Sequence, residues 1–231
     1  MTGLLVVTAV PVEAEAVRAG LAACAAAGSG GQGVTVAPVG VGPGAAGAAT
    51  ARLLALAEAA GRPYRAVLSA GIGGGFPGRV EVGGTVLASR SIAADLGAES
   101  PDGFIPLDEL GMPLDQLGGG ILVDADPVLL GTLRQALPAA AVGTVLTVGT
   151  VTGTADSTRL LAERHPDAVA EAMEGYAVGV AATQAGLPFA ELRTISNPIG
   201  PRDRGNWRMR EAFAALTAAA TALGPVLGPG W

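Results

Sequence analysis

The 231-residue sequence predicts an α/β fold, a sheet protected by helices on both faces. Three observations predict it. Leu4 to Val10 is an apolar run with the pattern of a strand buried on both sides, and Ala66 to Ala70 and Pro188 to Ile195 are further strand-like stretches. Alanine-rich stretches of helical length alternate with the strand-like runs. Glycine or proline marks many of the junctions where strand must turn into helix.

Leu4 to Val10 is the first strand, ended by Pro11, and an alanine-rich helix follows from about Val12 to Ala27, which puts Glu13 at the mouth of the sheet. The opening apolar run has no basic residues before it and is far shorter than a signal core or a membrane span needs, so it reads as a buried strand. Gly28 to Gly33 makes a flexible turn into a second strand, Val34 to Val41, and a glycine turn then leads into a second helix. Ala66 to Ala70 is a third strand and runs into Gly71 to Phe76, GIGGGF, which reads as a backbone-exposing turn. Val80 to Gly84 is a further turn and Thr85 to Ser91 a strand. From Ile92 to Gly120 periodicity is lost, and Asp95, Glu99, Asp102, Asp108, Glu109 and Asp115 are interleaved with glycine and proline, which makes the stretch a candidate lid or binding loop.

Pro127 to Leu137 is a short helix, Gly143 to Val148 a strand, and the next helix has Asp156 or Ser157 as its expected cap. Ala168 to Ala172 is a short strand, Met173-Glu174-Gly175 the turn into a helix ending near Gly186, and Pro188 to Ile195 a strand with Ser196-Asn197 at its end. A polar loop, a helix from Arg208 to Leu223 and a loose tail complete the chain. No linker interrupts it, and 50% hydrophobic residues suit a large core, so residues 1–231 read as one domain.

Composition excludes several classes of function. The net charge is −6 and the arginines are scattered, against the basic stripe of a nucleic-acid surface. All 14 basic residues are arginine, which removes Schiff-base chemistry and the phosphate-binding lysine of a P-loop. Cys24 is alone, so there is neither a disulfide framework nor a thiolate metal cluster, and a reducing cytoplasm fits. The single His165 precedes Pro166 at a helix end, where it reads as a surface cap, and a histidine-based triad has no source. Asp203, between two arginines, reads as a solvated loop charge.

Gly42-Pro43-Gly44-Ala45-Ala46-Gly47 matches the dinucleotide-binding pattern literally, yet it follows the second strand, and no acidic residue ends the next strand to hold a ribose. The glycines of GIGGGF cost roughly 1 kcal/mol each in backbone entropy, which close approach of a ligand would explain and a tight strand exit would also explain. Glu13 and Glu174 are each ordinary first-turn carboxylates when taken singly. Their common position at the sheet mouth, where open α/β sheets bind ligands, is what suggests chemistry. Two carboxylates on one crevice suit sugar chemistry, one activating water and the other holding hydroxyls around an oxocarbenium-like transition state.

TAVPVEAEAV, VGVGPGAAGAATARLL, SAGIGGGF, VEVGGTVLAS, EAMEGYAV and RTISNPIG, in this order and at these spacings, resemble the purine nucleoside phosphorylase and nucleosidase superfamily. Within it the chain is similar to the methylthioadenosine/S-adenosylhomocysteine nucleosidases and, more closely, to the futalosine hydrolases of menaquinone biosynthesis. The resemblance implies a three-layer αβα sandwich around a twisted mixed sheet and hydrolysis of a nucleoside without metal or organic cofactor. It further implies a homo-oligomer that binds a small-molecule nucleoside and neither nucleic acid nor membrane. By resemblance, Glu13 activates the attacking water and Arg193 lies beside that water. Glu174 binds the ribose hydroxyls, Met173 packs on the sugar, Val151 and Thr152 line the base, and Ile72, Gly73 and Gly74 form the glycine loop near the nucleophile. The phosphorylases hold phosphate in the equivalent space, but the arginines that would bind it at the first two glycine turns are missing, which favours water. Phe104 is a candidate for the wall of an extended 5′ pocket, with an arginine to meet a carboxylate there.

Asn197 stands where adenine-specific nucleosidases carry Asp. Adenine shows an acceptor at N7 and a donor at its 6-amino group, whereas a 6-oxopurine shows acceptors at N7 and O6. Asn can donate to O6 and accept the N7 proton with its carbonyl, so Asn197 predicts hypoxanthine over adenine. The alternatives are an inosine or methylthioadenosine type nucleosidase or phosphorylase and, from the literal glycine pattern, an NAD-binding oxidoreductase.

Overall fold

The structure, a computed structural model, describes residues 3–27, 33–113, 116 and 120–227, so most of the turn expected at Gly28 to Gly33 lies outside the described residues. The elements are β1 (Leu4–Thr8), α1 (Pro11–Ala26), β2 (Val34–Pro38), α2 (Pro43–Ala59), β3 (Ala66–Gly75), β4 (Thr85–Ala93), β5 (Gly97–Ser100), β6 (Gly103–Pro106), β7 (Leu122–Asp124), α3 (Pro127–Ala136), β8 (Ala141–Thr147), α4 (Ala155–Arg164), β9 (Ala168–Ala172), α5 (Gly175–Gln184), β10 (Phe189–Pro198) and α6 (Met209–Leu223).

The main sheet is mixed and runs β10-β4-β8-β9-β3-β1-β2, with β7 added to β4. Because β10 also pairs with β3, the strands β3, β10, β4, β8 and β9 close into a ring. β3 is the hub. One edge lies parallel to β10 from Val67 to Gly75, while the other pairs with β1 at Ala66 to Ser69 and then antiparallel with β9 at Gly74 and Gly75.

Strand alternation sorts the core into two layers. Leu4 and Val6 face one side, in one core cluster with Val17 and Leu21 of α1, Leu129 and Leu133 of α3 and Leu216 of α6. Leu5 and Val7 face the other side, against Ala46 and Leu54 of α2 and Val178 and Ala182 of α5. The helix–sheet–helix layering expected from the apolar runs is therefore present, with α1, α3 and α6 opposite α2 and α5.

Several local expectations are corrected. GIGGGF is not a turn: β3 continues through Gly75, hydrogen-bonded on both edges. The glycines there remove side chains where neighbours come close, for a Cβ on Gly71 would lie 2.6 Å from Glu13 Oε1 and one on Gly74 2.6 Å from Ile199. The acidic stretch from Ile92 to Gly120 is not structureless but carries the end of β4 and the β5–β6 hairpin, closed by Gly103 at φ 123°. Thr154, not Asp156 or Ser157, caps α4, its hydroxyl accepting from Ser157 N at 3.1 Å. His165 sits at the C-terminal cap of α4 but is 9% exposed rather than on the surface. The tail is not wholly loose, since Leu227 packs into the same core layer as α6.

Candidate functional site

β1, β3, β9 and β10 end around one cavity of about 280 Å³. Glu13, Ile72, Gly73, Gly74, Val151, Thr152, Met173, Glu174 and Asn197, all expected from sequence, line it together. Glu13 is placed by its position at the third residue of α1. From there its side chain folds back on the strand-to-helix junction, and Oε2 accepts from the backbone of Ala9 (2.9 Å) and Val10 (3.1 Å). Oε1 accepts from Ile72 N of β3 at 2.9 Å. A carboxylate has about four acceptor positions, so Oε2 is filled and Oε1 keeps one.

Glu174 repeats this pattern at the start of α5. Its Oε2 accepts from Met173 N (3.3 Å) and from Arg193 Nη1 (3.1 Å), while among the described residues Oε1 accepts from Gly42 N alone, at 3.2 Å. Gly42 holds φ 86° and begins α2, so the literal dinucleotide pattern spends its first glycine on a carboxylate rather than on a phosphate.

Arg193 is 1% exposed and does not line the cavity, in contrast to the expected place beside a water. It lies behind the cavity floor, where Nη1 reaches Glu174 and the Ile72 carbonyl, Nε donates to Glu191 Oε1 at 2.8 Å and Nη2 to Ser69 Oγ at 3.0 Å. Burial alone would lower the Arg193 pKa, but Glu191, Glu174 and Glu13 outweigh it and hold the guanidinium above the usual arginine range. Glu191, fully buried and also hydrogen-bonded by Ser91 Oγ, is pushed up by burial, with Arg193 pulling it back. One cation thus serves a buried cluster of carboxylates.

Asn197, half-buried, accepts at Oδ1 from Ser196 Oγ (2.8 Å) and donates from Nδ2 to the Pro198 carbonyl (2.9 Å). A register shift between Ile195 and Asn197 marks a bulge that re-aims this end of β10. Phe104 is not brought to the cavity. It sits on the β5–β6 hairpin with the Arg164 guanidinium 4.4 Å from its ring centroid. The loop after β10 instead supplies Arg202 and Trp207 to the cavity wall, the guanidinium 5.4 Å from the ring centroid.

Sequence reasoning also missed Glu171. This carboxyl lines the cavity from β9, is 4% exposed, and accepts from Thr152 N (2.8 Å) and, closely, from Thr152 Oγ1. Burial pushes its pKa up, the Thr152 hydrogen bonds oppose that, and the Asp95 charge adds to it. The available signal was a charged residue inside the otherwise apolar strand AVAEA. Among the described residues no group of three or more His, Cys, Asp or Glu is placed to hold a metal, and no helix is long and apolar enough to cross a membrane.

Comparison with known proteins agrees with this arrangement. Residues 8–226 match the model of the phosphorylase superfamily. The chain is 52% identical to a futalosine hydrolase of Streptomyces coelicolor over 72% of this chain and 68% of that one. It is 45% identical to that of Acidothermus cellulolyticus over 93% and 90% of the two chains. Among solved structures, the methylthioadenosine/S-adenosylhomocysteine nucleosidase of Neisseria meningitidis with methylthio-immucillin-A superposes with a TM-score of 0.75 at 17% identity, covering 98% of this chain and all (100%) of the other. The futalosine hydrolase of Helicobacter pylori gives 0.75 at 14% identity, covering 96% and 97%. By its sequence, its mixed sheet and the carboxylates gathered at the sheet mouth, the chain belongs to the phosphorylase superfamily, within the group of the futalosine hydrolases.

Proposed function

We propose that the protein is a futalosine hydrolase, an N-glycosyl hydrolase that uses water to cleave futalosine into hypoxanthine and dehypoxanthine futalosine, a step of menaquinone biosynthesis. The observation that carries this reading is the pair of buried glutamates on one cavity, each with one carboxylate oxygen filled by two donors and the other left with a free acceptor position. The curated relatives supply the substrate.

At Glu13 the open position on Oε1 takes the proton of the attacking water. At Glu174 the open position on Oε1 takes a ribose hydroxyl, and the carboxylate lowers the energy of the cationic sugar. Met173 packs on the sugar, and Val151 and Thr152 line the base. Asn197 supports the charge that develops on the departing purine. Arg193 acts from behind, fixing Glu174 and balancing the carboxylates.

Arg202 and Trp207 suit the 5′ end of futalosine, a cation for its carboxylate beside an aromatic face for its phenyl ring. A homo-oligomer fits the exposed apolar side chains Val41 (54%), at the cavity, and Val12 (51%), in the first turn of α1.

Product analysis on futalosine, inosine and methylthioadenosine, with and without phosphate, tests the reading. Hypoxanthine should appear fastest from futalosine and without phosphate. Fastest turnover of methylthioadenosine, or strict dependence on phosphate, would overturn it.

A further inference from the structure

Three carboxyls line the cavity, and the mechanism above gives work to two of them; Glu171 is the third. Its position is set by the sheet. Gly74 of β3 is paired with Glu171 of β9 on one edge and with Asn197 of β10 on the other, so the three residues form one row across three strands. Residues paired across strands project their side chains to the same face. In this row the middle residue has no side chain, and both outer side chains reach the cavity. A Cβ on Gly74 would already lie 3.5 Å from Asn197 Nδ2. With strands about 4.8 Å apart, the outer Cα atoms are separated by roughly 10 Å, the span of a flat bicyclic base with a hydrogen-bonding group at either side.

The two side chains offer different chemistry. Asn197 presents an amide. Glu171 presents a carboxyl whose oxygens are each fixed by one donor from Thr152, which leaves each with an acceptor position. A 6-oxopurine has O6 and N7 on one side of its C6 carbonyl carbon and an N1–H donor on the other. Adenine has a lone pair at N1. A carboxylate set against N1 therefore accepts from a 6-oxopurine and opposes adenine, acceptor against acceptor.

We propose that Glu171 is a base-specificity residue, accepting the N1–H of a 6-oxopurine while Asn197 reads the O6 and N7 side across Gly74. The inference rests on the purine-hydrolase reading above and extends it to an atom of the base that Asn197 does not reach. Burial raises the Glu171 pKa, and a donor arriving with the base favours the ionised form that burial opposes.

The test is equilibrium binding of hypoxanthine and 1-deazahypoxanthine, which has C–H in place of N1–H at the same size, to the full chain and to Glu171→Ala. The wild type should bind hypoxanthine about 10- to 100-fold more tightly, the range for one unmade hydrogen bond to a charged partner, and the ratio should fall to about threefold or less in Glu171→Ala. A carboxyl that only braced Thr152 would instead weaken both ligands equally in the variant. Equal binding of the two bases by the wild type overturns the proposal without any variant, so a poorly folded Glu171→Ala does not shield it. Failure of the hydrolase reading is separate: the wild type would then release no hypoxanthine from futalosine, whatever the binding ratio.

Discussion

Replacing Arg193 by Met removes the guanidinium that faces Glu191 and Glu174 in the buried cluster while keeping a long apolar stem. Both ion pairs are almost wholly buried, with Arg193 1%, Glu191 0% and Glu174 7% exposed at the side chain, so water cannot take the place of the lost cation. Removing one partner of a buried pair costs roughly 3–5 kcal/mol because the other charge is left uncompensated. For a chain of this size each kcal/mol shifts Tm by roughly 2–4 °C, which gives a drop of about 6–20 °C. The sign of the pH dependence follows from Glu191. Its folded pKa is already raised, so the stability linked to it is fully present below the unfolded value of about 4.5 and is lost as pH rises through the folded value. Without Arg193 that folded value climbs further, and the deficit of the variant should be smallest in acid and grow toward neutral pH. Thermal melts of both proteins from pH 4.5 to 8 read this directly. A Tm difference below about 2 °C at pH 7.5, or one that widens in acid, would refute the reasoning that Arg193 is the counter-ion of the cluster.

Gly71→Ala places a methyl 2.6 Å from Glu13 Oε1 and 2.9 Å from Arg193 Nη1. Displacing the base by even an ångström can cost about 100-fold in rate, so kcat should fall by at least that much while the far-ultraviolet circular dichroism stays native. Glu13→Gln should keep futalosine binding within about threefold and lower kcat by roughly 100-fold or more, the usual scale for a general base; near-normal kcat would remove Glu13 from the mechanism. Asn197→Asp should shift the kcat/KM ratio toward 6-amino nucleosides by about tenfold, and an unchanged ratio would mean that Asn197 does not read the base. Arg202→Gln should raise KM for futalosine by about tenfold and leave inosine unaffected, since inosine has no carboxylate for the guanidinium to meet.

The parts of this molecule that were legible in the sequence are those set by local pattern. Leu4 to Val7 is apolar without interruption because helices cover both faces of β1, and Glu13 and Glu174 stand at strand-to-helix junctions because those junctions end at the cavity. What was not legible depends on partners distant in sequence. Gly71 to Gly75 looks like a turn to any rule based on propensity, yet two neighbouring strands hold it extended, and the missing side chains make room for Glu13, Glu171 and Ile199. β7 is three residues long and borrows its register from β4, so it leaves almost no periodic signal. Phe104 was assigned to the substrate by its hydrophobicity, whereas the cation beneath which it packs, Arg164, lies sixty residues further along the chain. Arg193 was expected beside the attacking water, whereas two of its partners, Glu174 and Ser69, lie 19 and 124 positions away and hold it behind the cavity.

The hydrogen bonds that fix the two cavity glutamates and Arg193 also set when in the life of the chain a site can exist. Glu13 is held by a residue 59 positions away, Glu174 by Gly42 across 132, and Arg193 by Ser69 across 124. None of these closures can form early by local chain motion, because each must first bear the entropy of a long loop. During synthesis Glu13 leaves the ribosome 180 positions ahead of Arg193 on β10. A nascent chain is therefore inert toward nucleosides until β10 has been made, and hydrolytic competence arrives as an all-or-none event when β10 docks along β3.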